Sequence, residues 1–259
     1  MCVILDLHNF GRYGTQVLGG ATLSPDSFTD VWLRIAAEFK DPKQTIFGLM
    51  NEPSPIPIAQ WTDIAQQTLL ALRGAGASNL ILVGSGRWSG AHEWNKVIDG
   101  TSASAEFKGF HDPANNYAIE LHQYADSNYS GTGTACIEPA KLQKILADIA
   151  TWAKAEHRKF FLGEFGVANS GPCLAALNAM LEAMRDDSVW LGWSYWAAGR
   201  WWGTYPFSIQ PVGTTDAGQM TVLKRFIRKP KPPSDIEIQR RNQISSIELD
   251  QRSRLGETP

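Results

Sequence analysis

Two glutamates stand out by position. Glu52, in Asn51-Glu52-Pro53, follows the apolar run Thr45 to Met50, and Pro53 ends that run so that the carboxylate stands at its C-terminal rim. Glu164, in Gly163-Glu164-Phe165-Gly166, closes a second apolar run that begins at Phe160. One such residue reads as a solvated loop carboxylate. Two at equivalent strand ends, one preceded by an Asn able to bond a hydroxyl, point to paired-carboxylate chemistry of the kind that glycoside hydrolysis requires. His8 and His122 also follow strand-like runs, and each taken singly reads as a satisfied rim residue. His92, His111 and His157 fit no motif and are read as surface residues. Ten Trp are present, several of them between 190 and 202, and flat aromatic faces suit sugars. Core packing is the alternative for Trp196, as for Trp190 and Trp193, because alternate strand residues face opposite ways. Trp201 and Trp202 fall in the following loop, where exposure is expected.

The elements that must carry these residues alternate. Six β-type runs are legible: Val3 to Leu7, Thr45 to Met50, Leu80 to Val83, Tyr117 to Leu121, Phe160 to Leu162 and Val189 to Trp196. Between them run helical patterns. Ser24-Pro25 caps one with Phe28, Val31, Trp32, Ile35 and Phe39 on a stripe, a second carries Trp61 to Leu72, and Pro139 opens a third. Leu174 to Met184 and Met220 to Ile227 read as two more. Such alternation implies parallel strands joined by right-handed crossovers, in a doubly wound sheet or a (β/α)8 barrel. Gly84, Gly86 and Gly90 miss the spacing of a nucleotide fingerprint, and polar residues gather at C-terminal strand ends, so the barrel is the expectation.

Composition narrows the partner. The chain has 259 residues, 43% of them hydrophobic, and 24 Lys plus Arg against 26 Asp plus Glu. A formal charge of −2 gives no general attraction to nucleic acid or to an anionic membrane, and no apolar stretch reaches spanning length. A neutral partner is expected. Cys2, Cys136 and Cys173 lack metal-ligand spacing. Cys136 and Cys173 sit in polar loops that a bridge could tie together, and two unpaired loop residues are the alternative. Asn128-Tyr129-Ser130 is a glycosylation sequon, compatible with export. The strand-like start at Cys2 suggests a domain already under way. From residue 228 the sequence becomes polar and charge-rich with no aromatic residue, which reads as a disordered tail over 228–259 following a domain over 1–227.

Taken in order, Asp6-Leu7-His8-Asn9, Met50-Asn51-Glu52-Pro53, Leu121-His122-Gln123-Tyr124, Gly163-Glu164-Phe165-Gly166 and Ser194-Tyr195-Trp196 resemble glycoside hydrolase family 5 endoglucanases across residues 1–227. The likeness extends to the secreted fungal-type branch through Arg12-Tyr13, the Ser130 to Cys136 loop and the Ala197 to Pro211 loop. It implies a (β/α)8 barrel and a retaining mechanism, with Glu52 as acid/base, Glu164 as nucleophile and their carboxyls about 5 to 5.5 Å apart. It further implies that Asn51 binds the sugar 2-hydroxyl, that Tyr124 bonds the nucleophile, that His8 and His122 make polar contacts to the reacting sugar, and that Trp196 stacks beneath it. A Cys136–Cys173 bridge, no cofactor and no metal, a β-glucan polysaccharide or oligosaccharide as substrate, and secretion are implied as well. The first strand resembles the third of the family barrel. On that reading two βα units and an active-site Arg are missing, which predicts weak activity and self-association of the incomplete barrel. The alternatives are mannanase or other β-glucan hydrolase activity, or a non-catalytic glycan-binding fragment.

Overall fold

The computed structural model describes residues 2–227; the tail expectation for 228–259 lies outside the described residues. In chain order the elements are β1 (Val3–Asp6), β2 (Arg12–Tyr13), β3 (Gln16–Val17), α1 (Pro25–Glu38), β4 (Thr45–Gly48), α2 (Ile58–Gly74), β5 (Ile81–Gly84), α3 (Ala103–Glu106), β6 (Tyr117–His122), α4 (Pro139–Ala155), β7 (Phe160–Phe165), α5 (Gly171–Ala183), β8 (Trp190–Tyr195) and α6 (Met220–Leu223). All six long strands match the expected runs to within a few residues. The short hairpin of β2 and β3 and the one-turn helix α3 carry too little periodicity to be legible in advance.

The six strands form one parallel sheet in the order β1-β4-β5-β6-β7-β8. Each strand therefore pairs with the next long strand in sequence, with no reversal of order. A doubly wound sheet needs such a reversal at its switch point, whereas right-handed crossovers that never reverse stack their helices on one side and curl the sheet as a barrel wall. The fold is that of six consecutive strands of a (β/α)8 barrel. Within the described residues β1 and β8 are its outer strands.

Local chemistry explains how the helices lie on this wall. Ser24 Oγ accepts the Ser27 backbone N–H at 3.3 Å, and Pro25 opens α1, so Phe28, Trp32 and Ala36 turn inward together. The Trp32 indole donates to the Leu49 carbonyl at 3.0 Å and its ring lies 5.5 Å from Phe47. Trp61 of α2 likewise donates to the Gly84 carbonyl at 2.7 Å. Each of these indoles joins a helix to the C-terminal end of a strand, and removing one would cost about 3 to 5 kcal/mol. A third cluster joins Trp94, Phe107, Trp152, Phe160 and Trp190 by edge and tilted contacts of 4.8 to 5.8 Å. Trp32, Trp61, Trp94 and Trp190 are thus core residues, and much of the tryptophan content serves packing rather than ligand binding.

Cys136 and Cys173 are bridged, with Cα atoms 5.2 Å apart, tying the loop after β6 to the first turn of α5. Cys2 is free and exposed. Among the described residues no helix is long and apolar enough to cross a membrane.

Candidate active site

The pairing of strands brings the candidate residues to one rim. His122, the last residue of β6, lies in register with Glu164 on β7, and the ladder is irregular there, shifting between Leu121 and His122 and again between Leu162 and Phe165. Such irregularities re-aim side chains at barrel rims. Ser194 on β8 donates its hydroxyl to the Gly163 carbonyl, fixing the backbone beside Glu164. Glu52 has φ 40°, a left-handed conformation that costs an L-residue about 1 to 2 kcal/mol. The adjacent Asn51 N–H donates to the Leu7 carbonyl at 3.0 Å and so anchors this turn to the end of β1.

The side chains converge. His122 Nδ1 is 2.7 Å from Glu52 Oε1 and 3.8 Å from Glu164 Oε2. One oxygen each from Glu52 and Glu164 and one His122 nitrogen all lie within 4.8 Å of one another. Tyr124 donates its hydroxyl to Glu164 Oε1. Asn51 is buried at the same rim, and its side-chain nitrogen has no protein partner. Across the cleft His8 Nδ1 bonds Asp6 at 2.9 Å, and the His8 ring lies parallel to Trp196 with centroids 5.6 Å apart. Trp202 packs its ring against Trp196 at 4.8 Å, while Trp201 is 93% exposed. The Trp196–Ala197 peptide bond is cis. Every residue expected at the site is therefore at one rim, with Trp196 held by its neighbours rather than sunk in the core.

Electrostatics follow from this crowding. Burial by itself would lower the proton affinity of His122, but the carboxylates of Glu120 and Glu52 and the charge of Glu164 outweigh it and push its pKa up to about 10. Burial raises Glu164 above the usual carboxylate range and the Glu52 charge adds to that, whereas His122 and the Tyr124 hydroxyl act in the opposite direction. Burial and the Glu164 charge raise the Tyr124 phenol well above its ordinary value, so it remains a donor. The bond to Asp6 raises His8 despite its burial. Glu52, His122 and Glu164 are donor types that a divalent ion accepts. The His122 nitrogen nearest both carboxylates sits at hydrogen-bond distance from Glu52, however, so that position carries a proton rather than a lone pair free for a metal.

A cleft of about 490 Å³ opens from these groups and is lined further by Arg87, Trp88, His92, Glu93, Asn128 and Tyr129. His92 is thus part of the cleft and not a surface residue. Its ring stacks on Tyr129 at 4.1 Å, and its backbone N–H donates to buried Gln123 at 3.0 Å. Its sequence signal is weak because it lies in a single 3-10 turn, Ala91–Glu93, too short to show periodicity. Glu120 carries no motif signal in the sequence, although its position two residues before His122 on β6 places both on the same face. It lies 3.6 Å from His122 Nε2.

The family model described as Cellulase (glycosyl hydrolase family 5) matches residues 1–199. Endo-β-1,4-glucanase B of Aspergillus niger is 32% identical over 226 residues, which cover 86% of this chain and 65% of that protein. The chain thus spans about 65% of the length of that relative. Among solved structures, an endo-β-1,4-glucanase of Xanthomonas axonopodis pv. citri superposes with TM-score 0.84 at 40% identity, covering 88% of this chain and 74% of the other. XacCel5A in complex with cellopentaose gives TM-score 0.84 at 43% identity, covering 87% and 73%.

Proposed function

The chain belongs to glycosyl hydrolase family 5, and from that premise we propose that its site performs retaining endo-hydrolysis of β-1,4-glucans, with Glu164 as nucleophile and Glu52 as acid/base. The observation that carries this reading is the spacing of the two carboxylates, whose oxygens approach within 4.8 Å. Retaining enzymes hold their carboxyl groups about 5 to 5.5 Å apart, whereas inverting ones need about 6.5 to 9.5 Å to admit a water. The separation here lies on the retaining side of that divide.

The environments divide the roles. The Tyr124 hydroxyl occupies Glu164 Oε1 and favours the ionised form, leaving Oε2 to attack the anomeric carbon. Glu52 delivers a proton to the departing glycosidic oxygen as the C–O bond breaks and the Glu164 ester forms. In the second half, Glu52 takes a proton from the water that displaces the ester, and the product leaves with its original configuration. Asn51 holds the sugar 2-hydroxyl through its otherwise unpartnered nitrogen, a bond that tightens in the oxocarbenium-like transition state. His8 contributes a polar contact beside Trp196, which supplies the sugar platform. Residues 1–227 make up the catalytic domain, the substrate is a β-glucan polysaccharide or oligosaccharide as in the cellopentaose complex of XacCel5A, and secretion accords with the bridged loop.

Azide separates the two roles. On an aryl β-cellobioside, Glu164→Ala with azide should yield the α-glycosyl azide, because azide then attacks in place of the missing nucleophile. Glu52→Ala with azide should yield the β-glycosyl azide, because azide then intercepts the ester at Glu164. The same azide anomer from both variants would reject the assignment.

A further inference from the structure

We propose that Glu120 is a positioning residue for the acid/base glutamate, acting through His122 as the fixed counter-charge of the imidazole. The proposal rests on the reading of Glu52 as acid/base.

Three carboxylates surround the His122 ring. Glu52 meets Nδ1 at 2.7 Å, Glu164 stands 3.8 Å from the same nitrogen, and Glu120 faces Nε2 at 3.6 Å. Beyond them, Tyr124 faces Glu164; among the described residues the other imidazoles near this group are His8 on the β1 side, itself paired with Asp6, and His92, which lines the same cleft and stacks on Tyr129. Glu52 and Glu164 both lose their charge during a double displacement, Glu52 while it carries the proton and Glu164 while it is esterified. Glu120 touches neither the sugar nor the leaving group in this scheme, so it is the carboxylate that stays negative through the cycle.

The fold makes room for it. A Cβ on Gly163 would lie 1.9 Å from Glu120 Oε1 and 2.6 Å from its carboxyl carbon. Only glycine at that position lets Glu120 occupy the space beneath the ring, and that glycine immediately precedes Glu164. A charge that is only 18% exposed needs a partner, and His122, at 5%, needs one equally. With a carboxylate at each nitrogen the ring is held as a cation in one orientation. Its Nδ1–H then engages Glu52 Oε1, which leaves Oε2 as the oxygen that carries and gives the proton and steadies the carboxylate left behind. The raised pKa of His122 agrees with this arrangement.

The test is a pH titration of the full chain labelled at histidine Cε1 with ¹³C, comparing the parent with Glu120→Gln, alongside pH profiles on cellobiosides with good and poor leaving groups. The parent His122 resonance should remain that of the cation well past neutrality. In Glu120→Gln its midpoint should fall by on the order of one pH unit or more. Hydrolysis of the poor leaving group should fall on the order of 10-fold, with the good leaving group affected less. Glu120→Asp keeps the charge but draws it back from the ring, so a smaller fall in midpoint is expected, and this variant decides the matter if the glutamine protein does not fold. An unchanged His122 midpoint in both variants would overturn the proposal. The resonance reports on Glu120 even in a protein without turnover, so loss of the acid/base reading and loss of this proposal are separately visible.

Discussion

The middle of the sheet and its flank hold their functional side chains by different means. On β4, β6 and β7, strands with neighbours on both sides present Glu52, His122 and Glu164 with side chains 15%, 5% and 12% exposed, each fixed by at least one polar contact. On the flank, His8 follows the outer strand β1 and Trp196 follows the outer strand β8, and the His8 side chain is 41% exposed. His8 has one polar contact, to Asp6 at 2.9 Å, and the rest of the flank is ordered by stacking, His8 on Trp196 and Trp202 against Trp196. Groups that move protons and form bonds need fixed distances and low local dielectric, and the central strands supply both. A platform for a sugar face needs area more than register, and aromatic stacking on outer strands supplies that.

The sharpest way to break this contrast is at the centre. Tyr124→Phe removes a hydroxyl that bonds the nucleophile, and kcat should fall by about 10²-fold with KM little changed. The acid limb should move as well. Glu164 must be ionised to attack, its proton affinity is already raised by burial, and the tyrosine bond opposes that rise. Removing the bond raises it further, so activity should be lost at higher pH in the variant than in the parent. A pH–rate profile that keeps its acid limb would mean Tyr124 does not tune Glu164.

The flank should respond more weakly and in the other parameter. Trp196→Ala should raise KM by up to about 10-fold, the worth of one aromatic stack, while sparing kcat. Steady-state kinetics on cellotetraose measure both numbers, and a dominant loss in kcat would move Trp196 from the flank into the reacting centre. The least effect on turnover should come from the bridge. Gly131 has φ 73°, and a Cβ there would lie 2.7 Å from the Tyr124 ring, so the loop that precedes Cys136 packs directly on that residue. Asp126 also holds the loop, by accepting the Gly131 and Gly133 N–H groups at 3.1 Å. Opening the bridge by Cys136→Ser with Cys173→Ser should therefore leave kcat within about 3-fold while removing roughly 3 to 4 kcal/mol of stability on the chain-entropy model, a fall of about 10 °C in Tm. An unaltered melting curve would show that the bridge contributes no stability.

Much of this was legible in the sequence because the signals are local and repeated. The long strands announce themselves as apolar runs, and α1 by its cap and the Phe28-Trp32 stripe. The motif order puts Glu52, His122, Tyr124, Glu164 and Trp196 at strand ends. What escaped depends on contacts between segments far apart in sequence. Glu120 reads as one polar residue in a strand until Gly163, on the neighbouring strand, is seen to leave space for it. His92 reads as a loop residue until Tyr129 and Gln123 bring it into the cleft. The barrel, by contrast, was legible: six alternating elements fit a doubly wound sheet as well, but the missing nucleotide fingerprint and the polar residues at strand ends favour the barrel, and the strand order agrees.

The central claim is that Glu164 forms the covalent bond to the sugar. Incubation with a 2-deoxy-2-fluoro cellobioside bearing an activated leaving group slows breakdown of the ester more than it slows its formation, so peptide mass spectrometry can locate the sugar. The account predicts one cellobiosyl adduct on the peptide that contains Glu164, absent in Glu164→Gln and formed in Glu52→Gln. An adduct on Glu52 or Glu120, or hydrolysis of the parent with inversion and no adduct, would contradict it.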